Sequence, residues 1–401
     1  MRPDIALISP YPRCGARHDG ASGVASYTAN LAHSLSAAGL HTAVIAPHED
    51  GQPDRHQDGD VDVRRAFPLG GAAAVPRALA AARATGAPVV HLQHELFLYG
   101  GAAAGAGLFR GLAVRSDVPT VVTMHQVVDP SGVTADFTRM HRIAVPAPLA
   151  RAGLSALQRA LPKVADATVV HERSFQSLVP GSRVIAHGIE QAEPADAAAR
   201  VKARADLGLP EGRFVVLCFG FVAPYKGLET ALDAATLAGE DVLLVVAGGE
   251  HPRLAAQGDD YLDQLRARYA GVARFTGFVG SNDVSTWFHA ADLALYPYPA
   301  PHASSGALAL GMAHGTPSLM SPRLAASCGA DPVLCCPLDA AALAAQLRAL
   351  AGDTGRVEQL RAATGALLAD RSWPHVAREH IRIYQEVARA ESPARRRLRA
   401  A

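Results

Sequence analysis

Short apolar runs alternate along the chain with longer stretches whose apolar residues recur at helical spacing. In the first half, Ile5–Ser9, His41–Ala46, Val89–Gln93, Thr120–Met124, Ala167–Val170 and Arg183–Ala186 predict strands, and Val24–Ala38 predicts a helix. In the second half, Phe214–Phe219, Val242–Ala247, Ala273–Thr276 and Leu293–Tyr296 predict strands. Helices are predicted at Leu228–Ala238, Tyr261–Tyr269, Ser281–Ala291, Gly306–His314 and Ala340–Ala351. Strands that are apolar throughout and separated by helices predict parallel sheets covered on both faces. The pattern occurs twice, so the expected fold class is α/β with two doubly wound, Rossmann-like domains.

A polar, small, Pro-containing stretch at Gln191–Ala197 reads as the linker. It divides an N-terminal domain, residues 1–190, from a C-terminal one, residues 198–370. Pro47–Asp62 carries six acids and is expected to be an exposed connection. Arg139–Lys163 is basic along its length, and Pro146 and Pro148 are expected to break it into helical pieces. Its basic face reads as solvated, with peripheral membrane contact as the lesser reading. Residues 391–401 form a basic tail expected to fray.

Composition narrows the function. The 401 residues are 49% hydrophobic and 19% charged, with a formal net charge of +1. That profile is globular and argues against a dedicated nucleic-acid binder. The five cysteines are scattered and form no CxxC, which disfavours disulfides or zinc. No uncharged apolar run is long enough to span a bilayer, and the N-terminus shows no signal-peptide core. A cytoplasmic protein is expected. Of the 38 Lys and Arg residues, only Lys163, Lys202 and Lys226 are lysines.

Candidate chemistry sits in the loops after the strands, where open parallel sheets bind ligands. Gly23 opens the first helix behind Ala21-Ser22, and the GxGxxG dinucleotide fingerprint is absent. His94, Glu95 and Tyr99 follow one strand, and His125, Gln126 and Asp129 follow the next, as beside a polar ligand. His91 and His94 lack an evident third ligand, so no metal is expected. His125 reads equally as functional or as a buried, hydrogen-bonded histidine. In the second half, Gly220 to Gly227 follows a strand and opens a helix, with Lys226 placed where the helix dipole disfavours a cation. That misplacement suggests a lysine serving a diphosphate. Ser304, Ser305 and Gly306 open the helix after Tyr296-Pro297-Tyr298 and offer N–H donors and hydroxyls to the same anion.

These loops resemble the GT-B glycosyltransferases, specifically the retaining family 4 (group 1) enzymes. The resemblance rests on Ser22 to Tyr27, Val90-His91-Leu92-Gln93-His94-Glu95, Val122 to His125, Ile185 to Ile189 and Gly220 to Gly227. It continues through Phe275-Thr276-Gly277-Phe278, Ala290-Ala291-Asp292 and Ala313 to Pro317. Ser372-Trp373 to Tyr384 resembles the helix, about residues 372–390, that returns to the N-terminal domain.

The resemblance implies a GT-B fold with two domains facing a central cleft. It also implies a nucleotide-diphosphate-sugar donor on the C-terminal domain and a sugar, aminocyclitol or glycan acceptor on the N-terminal one. Lys226 would balance the leaving diphosphate, with Ser304, Ser305 and Gly306 donating to it. Gly220 belongs to the same loop, and Gly23 would let the N-terminal loop approach the phosphates. Phe278 would line the base pocket, and His125 would stand near the donor sugar and acceptor. No cofactor or metal is expected. Two glutamates usual in the family fall on His302 and Leu310 here, and a basic residue usual after Gly220 is Phe221. The chain looks like a subset lacking the paired glutamates, and a dTDP-sugar would suit the missing ribose partner. The alternatives are a sugar-nucleotide epimerase, for which Glu95 is the one acidic candidate, and a non-catalytic pseudo-glycosyltransferase. A role in carbohydrate or natural-product biosynthesis would follow from the main reading.

Overall fold

The computed structural model describes residues 2–16, 23–96, 98–100, 105, 107–108, 110–112, 118–140, 143, 145–250, 260–299 and 305–390. It divides into two units: Met1–Gly188 with Trp373–Ala401, and Ile189–Ser372. The tail from residue 391, most of the Gly100–Gly107 stretch, and Ser22, His302 and Ser304 lie outside the described residues. No helix among the described residues is long and apolar enough to cross a membrane.

Among the described residues unit 1 holds eight strands: β1 Ile5–Ile8, β2 Thr42–Pro47, β3 Arg55–Asp58, β4 Val61–Phe67, β5 Val90–His94, β6 Thr120–Met124, β7 Ala167–Val170 and β8 Arg183–Val184. Their order across the sheet is β3-β4-β2-β1-β5-β6-β7-β8, and every pair but β3–β4 is parallel. β1 and β2 are buried along their whole length, as strands covered on both faces must be. The helix Gly23–Ala37 and the helix Trp373–Arg389 share this unit's core, through Tyr27, Leu31 and Leu35 on one and Trp373, Val376, Ile383 and Tyr384 on the other. The latter set recurs at i, i+3, i+10 and i+11, one face of a helix.

Pro47–Asp62 is largely exposed, as expected, but it is not a plain connection. It contains β3, which makes an antiparallel hairpin with β4 in the register Arg55↔Arg64 and Asp58↔Val61. The turn is Gly59-Asp60, and Gly59 has φ +58°, a left-handed conformation that favours glycine. The acids are spent on partners: Asp62 binds Arg55 at 2.9 Å, and Asp58 accepts the Tyr11 hydroxyl at 2.7 Å. Arg139–Lys163 falls into helical pieces as expected: one helix, Ala135–Met140, ends before the prolines, and the next, Ala147–Val164, is capped by Pro146 with Pro148 in its first turn.

Unit 2 holds β9 Phe214–Phe219, β10 Val242–Ala247, β11 Ala273–Phe275, β12 Leu293–Tyr296 and β13 Ser318–Met320, in the order β11-β10-β9-β12-β13, all parallel. The order reverses between β9 and β12, and in unit 1 between β1 and β5. Ligands bind at such switch points, beyond the C-terminal strand ends. Asp292, from the Ala-Ala-Asp stretch, is buried and structural. It accepts the Val215 N–H at 2.6 Å and pairs with Arg204 from the helix Ala197–Asp206.

Candidate functional site

The unit 2 switch point is built from backbone that only glycine tolerates. β9 ends at Phe219, and Gly220 turns with φ +96°. A Cβ on Gly248 would lie 2.2 Å from the Gly220 carbonyl oxygen, and one on Gly227 2.2 Å from the Pro297 oxygen. Between them, Pro224–Lys226 makes a single tight turn before the helix Leu228–Ala238.

Lys226 closes that turn and folds back under Gly220. Its Nζ donates to the Phe219 carbonyl at 3.3 Å and lies 5.9 Å from the Tyr298 ring centre. A Cβ on Gly220 would stand 2.7 Å from the Nζ. Lys226 is 7% exposed and forms no salt bridge among the described residues. Burial lowers its pKa to about 8. The Cys218 thiol is pushed up to about 12, also by burial. A surface lysine is excluded, and an uncompensated cation stands at the C-terminal end of the central strand.

Nearby, Ser305 caps the helix Gly306–Ala313. Its hydroxyl accepts the Leu308 N–H at 3.1 Å and donates to the Tyr298 hydroxyl at 3.3 Å. Gly306 is exposed, and a Cβ there would meet nothing within 4 Å among the described residues. Phe278 is 74% exposed, its ring centre 6.5 Å from that of Phe221. Leu310 packs against the unit 2 core, so it offers a ribose no polar partner.

In unit 1, β5, β6 and β7 each lead into a histidine. His125 Nε2 lies 2.8 Å from the Gln93 amide oxygen, and His125 Nδ1 lies 3.1 Å from His171 Nε2. His171 Nδ1 reaches the Ile185 carbonyl at 2.9 Å. Tyr27 packs its ring against His125, His171, His187 and Trp373, with centres 4.6 to 5.2 Å apart. Its hydroxyl, the Trp373 indole nitrogen and His380 Nε2 are buried without a hydrogen-bond partner among the described residues. Burial and the neighbouring imidazoles hold His125 well below the ordinary histidine pKa, and burial lowers His94 to about 4. Burial alone raises the Glu95 carboxyl. His91 is spent on the Tyr384 and Thr123 hydroxyls, both at 2.7 Å. Among the described residues no three His, Cys, Asp or Glu side chains are grouped to hold a metal ion. Gly23 opens its helix, and a Cβ there would meet nothing within 4 Å among the described residues.

Within each unit the expected residues gather: His125 with Gln93, and Gly220 with Lys226. His171 was not singled out from sequence. Its signal was available, since it follows a buried strand as His125 does.

Residues 21–189 match the family "Glycosyltransferase Family 4", and residues 213–353 match "Glycosyl transferases group 1". The D-inositol 3-phosphate glycosyltransferase of Streptomyces avermitilis is 33% identical over 156 residues, 36% of this chain; the chain spans only 31% of that relative. Sucrose-phosphate synthase from Thermosynechococcus elongatus has a similar fold, with TM-score 0.64 at 21% identity over 96% of this chain and 98% of its own. HepE of Anabaena, solved with UDP and glucose, gives 0.62 at 16% identity over 95% and 99%. AviGT4, a glycosyltransferase of avilamycin A biosynthesis, gives 0.56 at 17% over 96% and 98%. With two Rossmann-like units and family matches running through both, the chain belongs to the GT-B glycosyltransferases of family 4 (group 1).

Proposed function

We propose that this glycosyltransferase moves a hexosyl group from a nucleotide-diphosphate sugar to a hydroxyl acceptor, with retention of configuration and without a metal ion. The observation that carries this reading is Lys226, a buried cation with no carboxylate partner among the described residues, at the unit 2 switch point. Desolvating an ammonium is costly unless an anion arrives to compensate. A diphosphate fits, and solved structures of HepE hold UDP, UDP-glucose, or UDP with glucose.

In the reaction, the bond from the anomeric carbon to the diphosphate oxygen breaks, and its electron pair leaves with the diphosphate. The acceptor oxygen bonds to that carbon on the same face, and its proton ends on the departing phosphate. Lys226 and the N–H groups opening the helix at Ser305-Gly306, with Ser304 beside them, offset the charge developing on the leaving group. Gly220 gives the phosphates close backbone approach, Phe278 offers a face to the base, and Gly23 and His302 complete the donor set. His125 holds the acceptor hydroxyl, with Glu95 beside it.

A thermal-shift panel with UDP, GDP, ADP and dTDP tests the reading. Stabilisation by one of them is expected; none by any would sink the donor assignment. Binding without donor turnover over a panel of sugar, aminocyclitol and glycan acceptors would favour a pseudo-glycosyltransferase.

A further inference from the structure

The loop after β6 carries His125, Gln126 and Asp129, and a helix outside the sheet holds it. The His125 N–H donates to the His94 carbonyl at 2.8 Å, which closes the β5–β6 pairing. Three residues on, the Val128 N–H donates to Gln158 Oε1 at 3.0 Å, and Gln158 Nε2 donates to the Val128 carbonyl at 3.1 Å. One side-chain amide thus serves both main-chain groups of Val128, as a neighbouring strand would. Farther along, the Asp129 carboxylate accepts the Ser131 N–H at 2.8 Å and caps the turn Pro130–Gly132. Arg151 then donates to the Val133 carbonyl at 3.1 Å.

Gln158 and Arg151 both belong to the helix Ala147–Val164, seven residues apart and so on one face of it. Among its described side chains that helix buries only Gln158 and Leu161. Gln158 is 1% exposed, at a position where a leucine would bury more apolar surface and leave no polar group to satisfy. Its hydrogen-bonding capacity is directed at a single residue of a single loop. Arg151, part of the basic face expected to be solvated, is a second anchor of the same loop.

We propose that Gln158, together with Arg151, is a positioning residue that holds the His125–Val133 loop in its acceptor-binding shape before the acceptor arrives. This rests on the glycosyl-transfer reading, in which His125 meets the acceptor. A loop fixed at Val128 and Val133 leaves Gln126 and Asp129 little freedom, so an acceptor hydroxyl finds its partners already in place. Released at those two points, the loop would have to order on binding, and the loss would fall on the acceptor and not on the donor.

Two readouts on the full chain test this. Hydrogen exchange without ligand should show residues 126–133 exchanging about tenfold faster or more in Gln158→Met, with β1, β5 and the helix Trp373–Arg389 unchanged. Kinetics with UDP-, GDP-, ADP- and dTDP-glucose against sugar, aminocyclitol and glycan acceptors supply the second. The acceptor KM should rise about tenfold or more, while the donor KM and the nucleotide thermal shift hold. Unchanged loop exchange overturns the proposal. So does exchange raised evenly through unit 1, or a donor KM that rises as much as the acceptor KM. If Gln158→Met does not fold, Arg151→Met alters an exposed side chain and carries both readouts, and Arg151→Lys, which still offers a donor, should recover them. No transfer to any acceptor by the unaltered protein would end the glycosyl-transfer reading and the acceptor role with it, while exchange would still decide whether Gln158 holds the loop.

Discussion

At Lys226 a cation is kept in a place that penalises its charge, and this fixes the sign of its effects. Its folded-state pKa, about 8, lies below the 10.5 of an ordinary lysine. The unfolded chain therefore holds more protons between those values, so stability from this group is complete above 10.5 and is lost as pH falls through about 8. Lys226→Met, similar in volume, should stabilise the ligand-free protein at pH 7 by on the order of 1–3 kcal/mol while abolishing the nucleotide thermal shift. Denaturant melts of the two proteins with and without nucleotide check this; a less stable Lys226→Met would contradict the buried charge. Nucleotide affinity should weaken as pH rises above about 8, where the free lysine loses its proton. Lys202 is the control. It is exposed and pairs with Asp206 on its own helix, so Lys202→Ala should leave nucleotide affinity unchanged.

At the scale of elements, the donor loop depends on two backbones touching. The Gly248 Cα faces the Gly220 carbonyl so closely that any Cβ must push the loop away. Gly248→Ala should cost about 1–3 kcal/mol and weaken nucleotide binding as well, because it displaces the turn that carries Lys226. Gly306→Ala makes the contrast. No described residue lies within 4 Å of its Cβ, so the melting temperature should hold, and any loss of nucleotide affinity reports on the ligand alone. A melting temperature lowered as far as that of Gly248→Ala would show that the Gly306 helix start is packed.

For the whole molecule, the two units differ in how they are made from the chain. Unit 2 is one continuous segment with its own core. Residues 189–372 expressed alone should fold cooperatively and keep the nucleotide thermal shift. Unit 1 needs the C-terminal helix, whose Trp373, Val376, Ile383 and Tyr384 are buried against residues far away in sequence. A chain ending at Ser372 should therefore lose the cooperative unfolding of unit 1, read by proteolysis or hydrogen exchange, while unit 2 stays protected. Equal protection of both would refute the division.

The apolar strands and the helices between them were legible because a strand buried on both faces must be apolar along its length. β1, β2, β9 and β10 need no partner to be recognised. The β3–β4 hairpin was not, because its strands are polar and its acids have meaning only beside Arg55, Arg64 and Tyr11, although Gly59-Asp60 carried the turn signal. Lys226 stood out by scarcity and position, and its burial, which makes it chemically unusual, came from Phe219, Gly220 and Tyr298 closing over it. His125 was visible as a candidate, but its partners Gln93 and His171 come from elsewhere in the chain. By itself the sequence determined the alternation of elements, the two-unit plan and the loops that carry chemistry, since these follow from local periodicity. Only the tertiary structure decided which side chains are desolvated and what each one bonds to, because dielectric and hydrogen-bond partners are set by residues distant in the chain.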